Sequence, residues 1–340
     1  MEKPNIFALA TKELSQDAFF TWLLQWADEG QMQYDQQLNE TAQDFVRLLL
    51  GQSPDFQVNK VIAGRQWNKI DIWAEVNDGY FIGIEDKTNT CEHSEQLERY
   101  KEIAMTHFKD KKHQLAFVYL KTGNESLVTL KKIETKEYRV IDRSAILSIL
   151  NKRQIANEIF NDFKDYLTII ENETNSWAKF GNITSKWKAG EGFFIELQKQ
   201  FHPDIETHWQ YVANQTGGFL GFWYHFIEKE EIGKLYIQIE NVLECREDSI
   251  KLVIKIGEWA PSLEPKTETL YRLLNEVIPY AEKNGLSLSK PDKYRVGSTS
   301  TLAVVQKAFS WDSDGNIELD KFMLTLKSLE KTLHEYCNDK

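Results

Sequence analysis

Two apolar runs, KIDIWAEV (69–76) and YFIGIE (80–85), stand on either side of Asn77-Asp78-Gly79. No other stretch narrows the fold so far. Asp-Gly supplies the positive φ that a tight turn needs, so the two runs are predicted to pair as an antiparallel hairpin. The second run does not end as an ordinary strand does, because it continues into Glu85-Asp86-Lys87. Pairing around the turn sets the Asp71 region opposite the Glu85 region. Strand side chains alternate, so Glu85 and Lys87 point one way and Asp86 the other. Asp86 is therefore read as a surface residue.

The neighbouring segments supply a setting for the hairpin. Residues 15–28 carry Ala18, Phe19, Trp22, Leu23 and Trp26 at helical spacing, with Ser15 as a candidate N-cap and Asp17 on the outer face. A second helix over 38–50 stops at Gly51, and 56–65 reads as a strand ahead of the hairpin. Residues 94–107 then form a helix, 114–120 (QLAFVYL) a strand buried on both faces, 138–141 a short strand, and 144–150 and 156–170 helices. The order helix, three antiparallel strands, helix, strand predicts a mixed α/β sheet flanked by helices. Residues 171–192 are polar and contain glycine, which reads as a boundary between a domain at 1–175 and another at 190–340. The second half is rich in strands (209–213, 218–227, 234–240, 249–256), with helices at 267–284 and 318–337. It is expected to be an α+β module with an antiparallel sheet, serving substrate binding or dimerisation.

Composition removes several classes. No run approaches the ~20 apolar residues of a membrane span, so no membrane partner is expected. The first residues lack a basic n-region, a long apolar core and a cleavage site, which points to a cytoplasmic protein. Cys91, Cys245 and Cys337 lie far apart, against a zinc ribbon or a disulfide framework, and the 7 histidines form no paired motif. A Walker motif is absent, so no nucleotide cofactor is expected. The net charge of −11 weighs against a polyanionic partner, except through local patches.

Two carboxylates that converge at the end of a hairpin make the oxygen-rich setting that Mg²⁺ prefers, with water filling its remaining positions. Asp71 and Glu85 are the candidate metal ligands. Lys87 beside them could orient or deprotonate a water, or stabilise charge on a phosphate; carboxylates raise its pKa and a cation lowers it. Gln96 and Tyr100 lie one turn apart on one face of the next helix. His93 precedes that helix and is read as a surface or capping residue. Lys109-Asp110-Lys111-Lys112-His113 is a basic loop expected beside the site, read as solvated. The aromatic run GGFLGFWYHF (217–226) is read as a buried strand rather than a base-stacking face.

Asp71 with Glu85-x-Lys87, led in by Ile82 and Ile84, resembles the motif of the PD-(D/E)xK nuclease superfamily, with Ile70 where that motif has its nominal proline. Gln96-x₃-Tyr100 looks like an element of the exonuclease-like branches, where it approaches the site. Glu13 is similar to their acidic residue on the first helix, an extra metal contact. The order of elements matches the family's αβββαβ core, a restriction-endonuclease-like fold, over about residues 5–125. The nearest sub-group is a set of bacterial proteins suspected of roles in phage defence. The resemblance implies a Mg²⁺-dependent hydrolase of phosphodiester bonds, with Mn²⁺ as a substitute and DNA as the expected nucleic acid. Asp71, Glu85, Lys87, Gln96 and Tyr100 would be catalytic, and Asp71, Glu85 and Glu13 would bind metal. Cutting both strands needs two such sites, so a homodimer is expected. The rival reading is a nuclease-fold binding or sensor module that works through a protein partner without cleavage.

Overall fold

The hairpin forms, and it lies inside a five-stranded sheet of order β1-β2-β3-β4-β5. The computed structural model describes residues 3–10, 12–88, 95–214 and 217–339, and divides into two compact units, Met1–Asn172 and Glu173–Lys340. The first unit opens with α1 (Ile6–Leu9), α2 (Glu13–Trp26) and α3 (Gln36–Leu50). Strands β1 (Val61–Trp67), β2 (Ile70–Val76) and β3 (Tyr80–Lys87) follow. After them come α4 (Gln96–His107), β4 (Gln114–Lys121), α5 (Leu127–Thr135), β5 (Arg139–Asp142), α6 (Arg143–Leu150) and α7 (Glu158–Asn175). Strands β1 to β3 are antiparallel, whereas β4 and β5 run parallel to β3. The sheet is therefore mixed, as the order of elements predicts. In the hairpin turn the positive φ falls on Asn77 and Asp78 rather than on Gly79. The short polar side chain of Asn77 makes that conformation tolerable, because its Oδ1 accepts from the Asn59 backbone N at 2.9 Å.

Alternation along the strands gives the sheet two apolar faces. Ile72, Ala74, Ile82, Ile84, Val118 and Leu120 enter a core with Phe19, Phe20 and Leu23 of α2, Phe45 of α3 and Phe163 of α7. Phe81, Phe117 and Tyr119 pack on the other face against Leu97, Tyr100 and Ala104 of α4 and Ile133 of α5. Helix α3 is bounded as its sequence directs. Asp35 Oδ1 accepts from Leu38 N at 3.0 Å, and Gly51 takes the left-handed C-cap at φ 65. The short helix α5 has little apolar periodicity and was not expected.

The second unit carries a six-stranded sheet of order β10-β11-β9-β8-β7-β6, each neighbouring pair antiparallel. Its elements are α8 (Phe180–Ile183), α9 (Trp187–Gln200), β6 (Thr207–Val212), β7 (Phe219–Lys229), β8 (Gly233–Asn241), β9 (Ile250–Gly257), α10 (Thr267–Lys283), β10 (Leu288–Ser289), β11 (Thr299–Val305) and α11 (Leu319–Asn338). Leu220, Phe222, Ile237, Ile239, Leu252 and Ile254 pack with Phe193, Leu273 and Leu326 of the helices in a separate core. Phe222 and Tyr224 are buried, which bears out the reading of the aromatic run as a core strand. The stretch 171–192 does not form a loose linker, because α7 runs on into it and α9 begins within it. Gly192 serves close approach there: a Cβ at that position would lie 2.0 Å from the Thr174 carbonyl oxygen. Among the described residues no helix is long and apolar enough to cross a membrane.

An ionic clamp ties the segment after α6 to α3. Arg153 reaches Asp44 at 2.8 Å and Glu40 at 3.0 Å, while Arg47 reaches Asp44 at 2.8 Å and Lys152 reaches it at 3.3 Å. Burial pushes the Asp44 carboxyl up, but Arg153 and then Lys152 outweigh it and hold Asp44 below the usual carboxylate range. A carboxylate depressed in the folded state stabilises above its unfolded pKa of about 3.9, and that contribution is lost as the pH falls through the lower folded value. Arg153→Ala should therefore cost about 1–2 kcal/mol in urea denaturation at neutral pH. The deficit should shrink below about pH 4; a deficit that does not change with pH would show that the loss comes from packing.

Candidate active site

The charged end of β3 is not solvated. Glu85 is 1% exposed, Asp86 0%, Lys87 7% and Thr88 4%, because β3 is a central strand covered by helices on both faces. In the parallel register Glu85 pairs with Tyr119 and Lys87 with Lys121, so these side chains share the α4 face. Asp86 pairs with Leu120 and faces the α2 side. The surface reading of Asp86 is thus corrected, and so is that of Asp17, which α2 brings to the same place and which is 2% exposed.

On the α4 face, Lys87 Nζ lies 2.5 Å from Glu85 Oε1 and 3.9 Å from Glu13 Oε2. Gln96 Nε2 donates to Glu85 Oε1 at 2.7 Å and lies 2.7 Å from Tyr100 Oη. Asp71 lies within hydrogen-bonding range of Glu85, and its Oδ2 accepts from Asp86 N at 3.4 Å. Glu13 closes the cluster from α2 by accepting from Thr88 N at 3.2 Å. Asp71, Glu85, Lys87, Gln96, Tyr100 and Glu13 are thus all brought together. His93 lies outside the described residues.

The electrostatics follow from this crowding. Burial, then the Asp71 charge, push Glu85 up to about 8 against the pull of Lys87. Burial raises Asp71 as well, with Lys87 opposing. Burial alone would lower Lys87, but its bond to Glu85 and the charges of Glu85, Glu13 and Asp71 prevail and keep its pKa above normal. On the α2 side, burial and then the Asp71 charge push Asp17 up to about 6, with a hydrogen bond from Asp86 acting the other way. Asp86, wholly buried beside Asp17, is raised well above the usual carboxylate range by burial and then by the Asp17 charge.

Glu85 Oε2 is buried and meets no hydrogen-bond donor among the described residues, while the neighbouring Asp71 carboxyl is a second acceptor. Facing acceptors are reconciled by a shared proton or by a cation, so these two side chains fit a hard divalent ion. Among the described residues no group of three or more His, Cys, Asp or Glu side chains is arranged to hold a metal. A cation here would rest on Asp71 and Glu85, with the remaining positions left to water and substrate, as Mg²⁺ accepts.

Other neighbours went unremarked in the sequence. Gln16 Nε2 donates to Thr88 Oγ1. Its signal is a buried amide on the apolar stripe of α2, one turn before Phe19 and Phe20. Lys121 ends the apolar run of β4 and forms a buried pair with Glu125 at 3.3 Å. The basic loop 109–113, expected beside the site, leads instead into the Gln114 end of β4, which pairs with Tyr80. At ~3.3 Å per residue, that is ~23 Å along the sheet from Lys87. Lys111 there stacks on Phe108, 4.8 Å from the ring centroid.

A family model described as the PD-(D/E)XK nuclease superfamily matches residues 4–182, which include every member of the cluster. No curated protein and no solved structure matches the chain. The match covers more than half of the 340 residues. With its five-stranded mixed sheet flanked by helices, the chain belongs to the PD-(D/E)XK nuclease superfamily.

Proposed function

We propose that this protein is a metal-dependent phosphodiesterase that hydrolyses DNA, with Asp71, Glu85, Lys87, Gln96 and Tyr100 as its working residues. The observation that carries the reading is the meeting of the half-buried Asp71 carboxyl with the buried Glu85 carboxyl, with the Lys87 ammonium 2.5 Å from Glu85. Asp71 and Glu85 would hold Mg²⁺ or Mn²⁺, with Glu13 at the rim. When bound, the cation supplies Lewis-acid polarisation of a phosphoryl oxygen.

Lys87 is held protonated by its three acidic neighbours, so its part is that of a donor. It aligns the attacking water with phosphorus and stabilises the charge that develops on the phosphate. Gln96 pins Glu85 Oε1 and so keeps the orphaned Oε2 free to bind. Tyr100 holds Gln96 in turn. Water attacks in line with the leaving oxygen, and one P–O bond forms as the other breaks. A cut in both strands requires two sites, which favours a homodimer. A cytoplasmic role in defence against phage rests on the family resemblance alone.

Supercoiled plasmid incubated with purified protein and Mg²⁺ or Mn²⁺ should be nicked. Asp71→Ala or Lys87→Ala should slow nicking by about a hundredfold or more, with circular dichroism showing each variant still folded at the assay temperature. Intact plasmid together with no calorimetric metal binding by the wild type would hand the chain to the binding-module reading. Gln96→Ala, which removes only the brace on Glu85, should raise the Mg²⁺ concentration for half-maximal nicking by about tenfold. An unchanged metal midpoint would remove Gln96 from the site.

A further inference from the structure

The second unit's sheet has one face turned away from the core that α9, α10 and α11 cover. On β9, Ile250, Leu252, Ile254 and Ile256 enter the core, so Lys251, Val253 and Lys255 point the opposite way. These residues, with the facing side of β11 and the segment after β10, line a groove of about 1150 Å³ made wholly of second-unit residues. Six basic side chains line it against three acidic ones, a local inversion in a chain of net charge −11.

Two of the bases are already engaged. Lys251 lies 3.8 Å from Asp292, and Lys255 lies 3.3 Å from Glu240 and 3.0 Å from Thr301 Oγ1. Lys290, Lys293, Arg295 and Lys307 are exposed at the rim and make no ion pair among the described residues. The half-buried rings of Phe180, Phe219 and Trp311 also face the groove, with Phe180 and Trp311 edge to face at 5.0 Å.

Unpaired cations above an apolar, ring-bearing wall call for a ligand with regularly spaced anions on one side and flat faces on the other. A single strand of nucleic acid has both, since its phosphates track a basic rim while its bases stack. A duplex is read by elements that project into its grooves, whereas this surface is concave. An acidic peptide would use the rim but leave the rings idle. We propose that this groove binds single-stranded nucleic acid. The proposal does not depend on catalysis by the first unit.

Full-length protein should be titrated against fluorescein-labelled oligothymidylate and oligouridylate of about 20 nucleotides, in EDTA, with anisotropy as the readout. The variant Lys290→Glu/Lys293→Glu/Arg295→Glu should bind at least about tenfold more weakly, with a salt dependence shallower by about two in slope. Trp311→Ala should weaken binding while leaving the salt slope unchanged. Circular dichroism melts check folding, and Lys290→Ala/Lys293→Ala gives a milder form of the same test. Anisotropy in EDTA reads binding without cleavage, so a failure of the groove to bind and a failure of the first unit to nick plasmid are told apart. Wild-type affinity in the charge-reversed variant would overturn the proposal. So would a loss of affinity in that variant as large for polyglutamate or for a duplex of the same length as for the single strands.

Discussion

Taking ionised groups out of water costs several kcal/mol each unless partners replace the lost hydration. The end of β3 places Glu85, Asp86 and Lys87 in that situation together, and much of the surrounding detail is compensation for it. Lys87 pairs with Glu85, Gln96 braces the same oxygen, and Thr88 donates to Glu13. The compensation is incomplete, because the carboxyls of Glu13, Asp17, Asp71, Glu85 and Asp86 outnumber Lys87 and Arg65, the cations that act on them. Burial, and then this excess of negative charge, push Glu85 up to about 8 and Asp17 up to about 6. A cluster left short of positive charge in a buried place is set up to receive a cation, and a fold that carries one gives up stability at that point.

The scaffold explains how so many acids reach one spot. Antiparallel pairing of β2 with β3 brings Asp71 beside Glu85, and α2 supplies Glu13 and Asp17 four residues apart on one of its faces. Because β4 runs parallel to β3, the chain must cross over between them, and α4 makes that crossing over the face that bears Glu85. Gln96 and Tyr100 therefore arrive at the site as a result of topology. The opposite face holds Asp86 and Asp17, and the charges of Asp71 and Glu13 still reach both.

The second unit uses its sheet differently. Helices cover one face in a conventional core, while the other keeps lysines and half-buried rings beside a groove. The negative net charge conceals this, because a sum over the chain does not report where the charges lie. Lys290, Lys293 and Arg295 lie within one short window, but Lys251, Lys255 and Lys307 join them only when the sheet forms.

Local information sufficed for the hairpin, its turn and the charged end of its second strand. Alternation, turn chemistry and helical spacing act over a few residues, and with the family resemblance they marked Asp71, Glu85, Lys87, Gln96 and Tyr100 as candidates that the fold brings together. Helix α5, strand β11 and helix α9 were not legible, because weak periodicity or embedded glycines hid them until tertiary contacts formed. Burial was the other thing the sequence could not reveal. Asp86 and Asp17 read as surface residues because an acid is normally solvated. Only the closure of α2 over a central strand decided that they would lie buried side by side in the interior. The chain alone determined which groups alternate along each element; the packing of element on element determined which of them lost water, and with it their charge state.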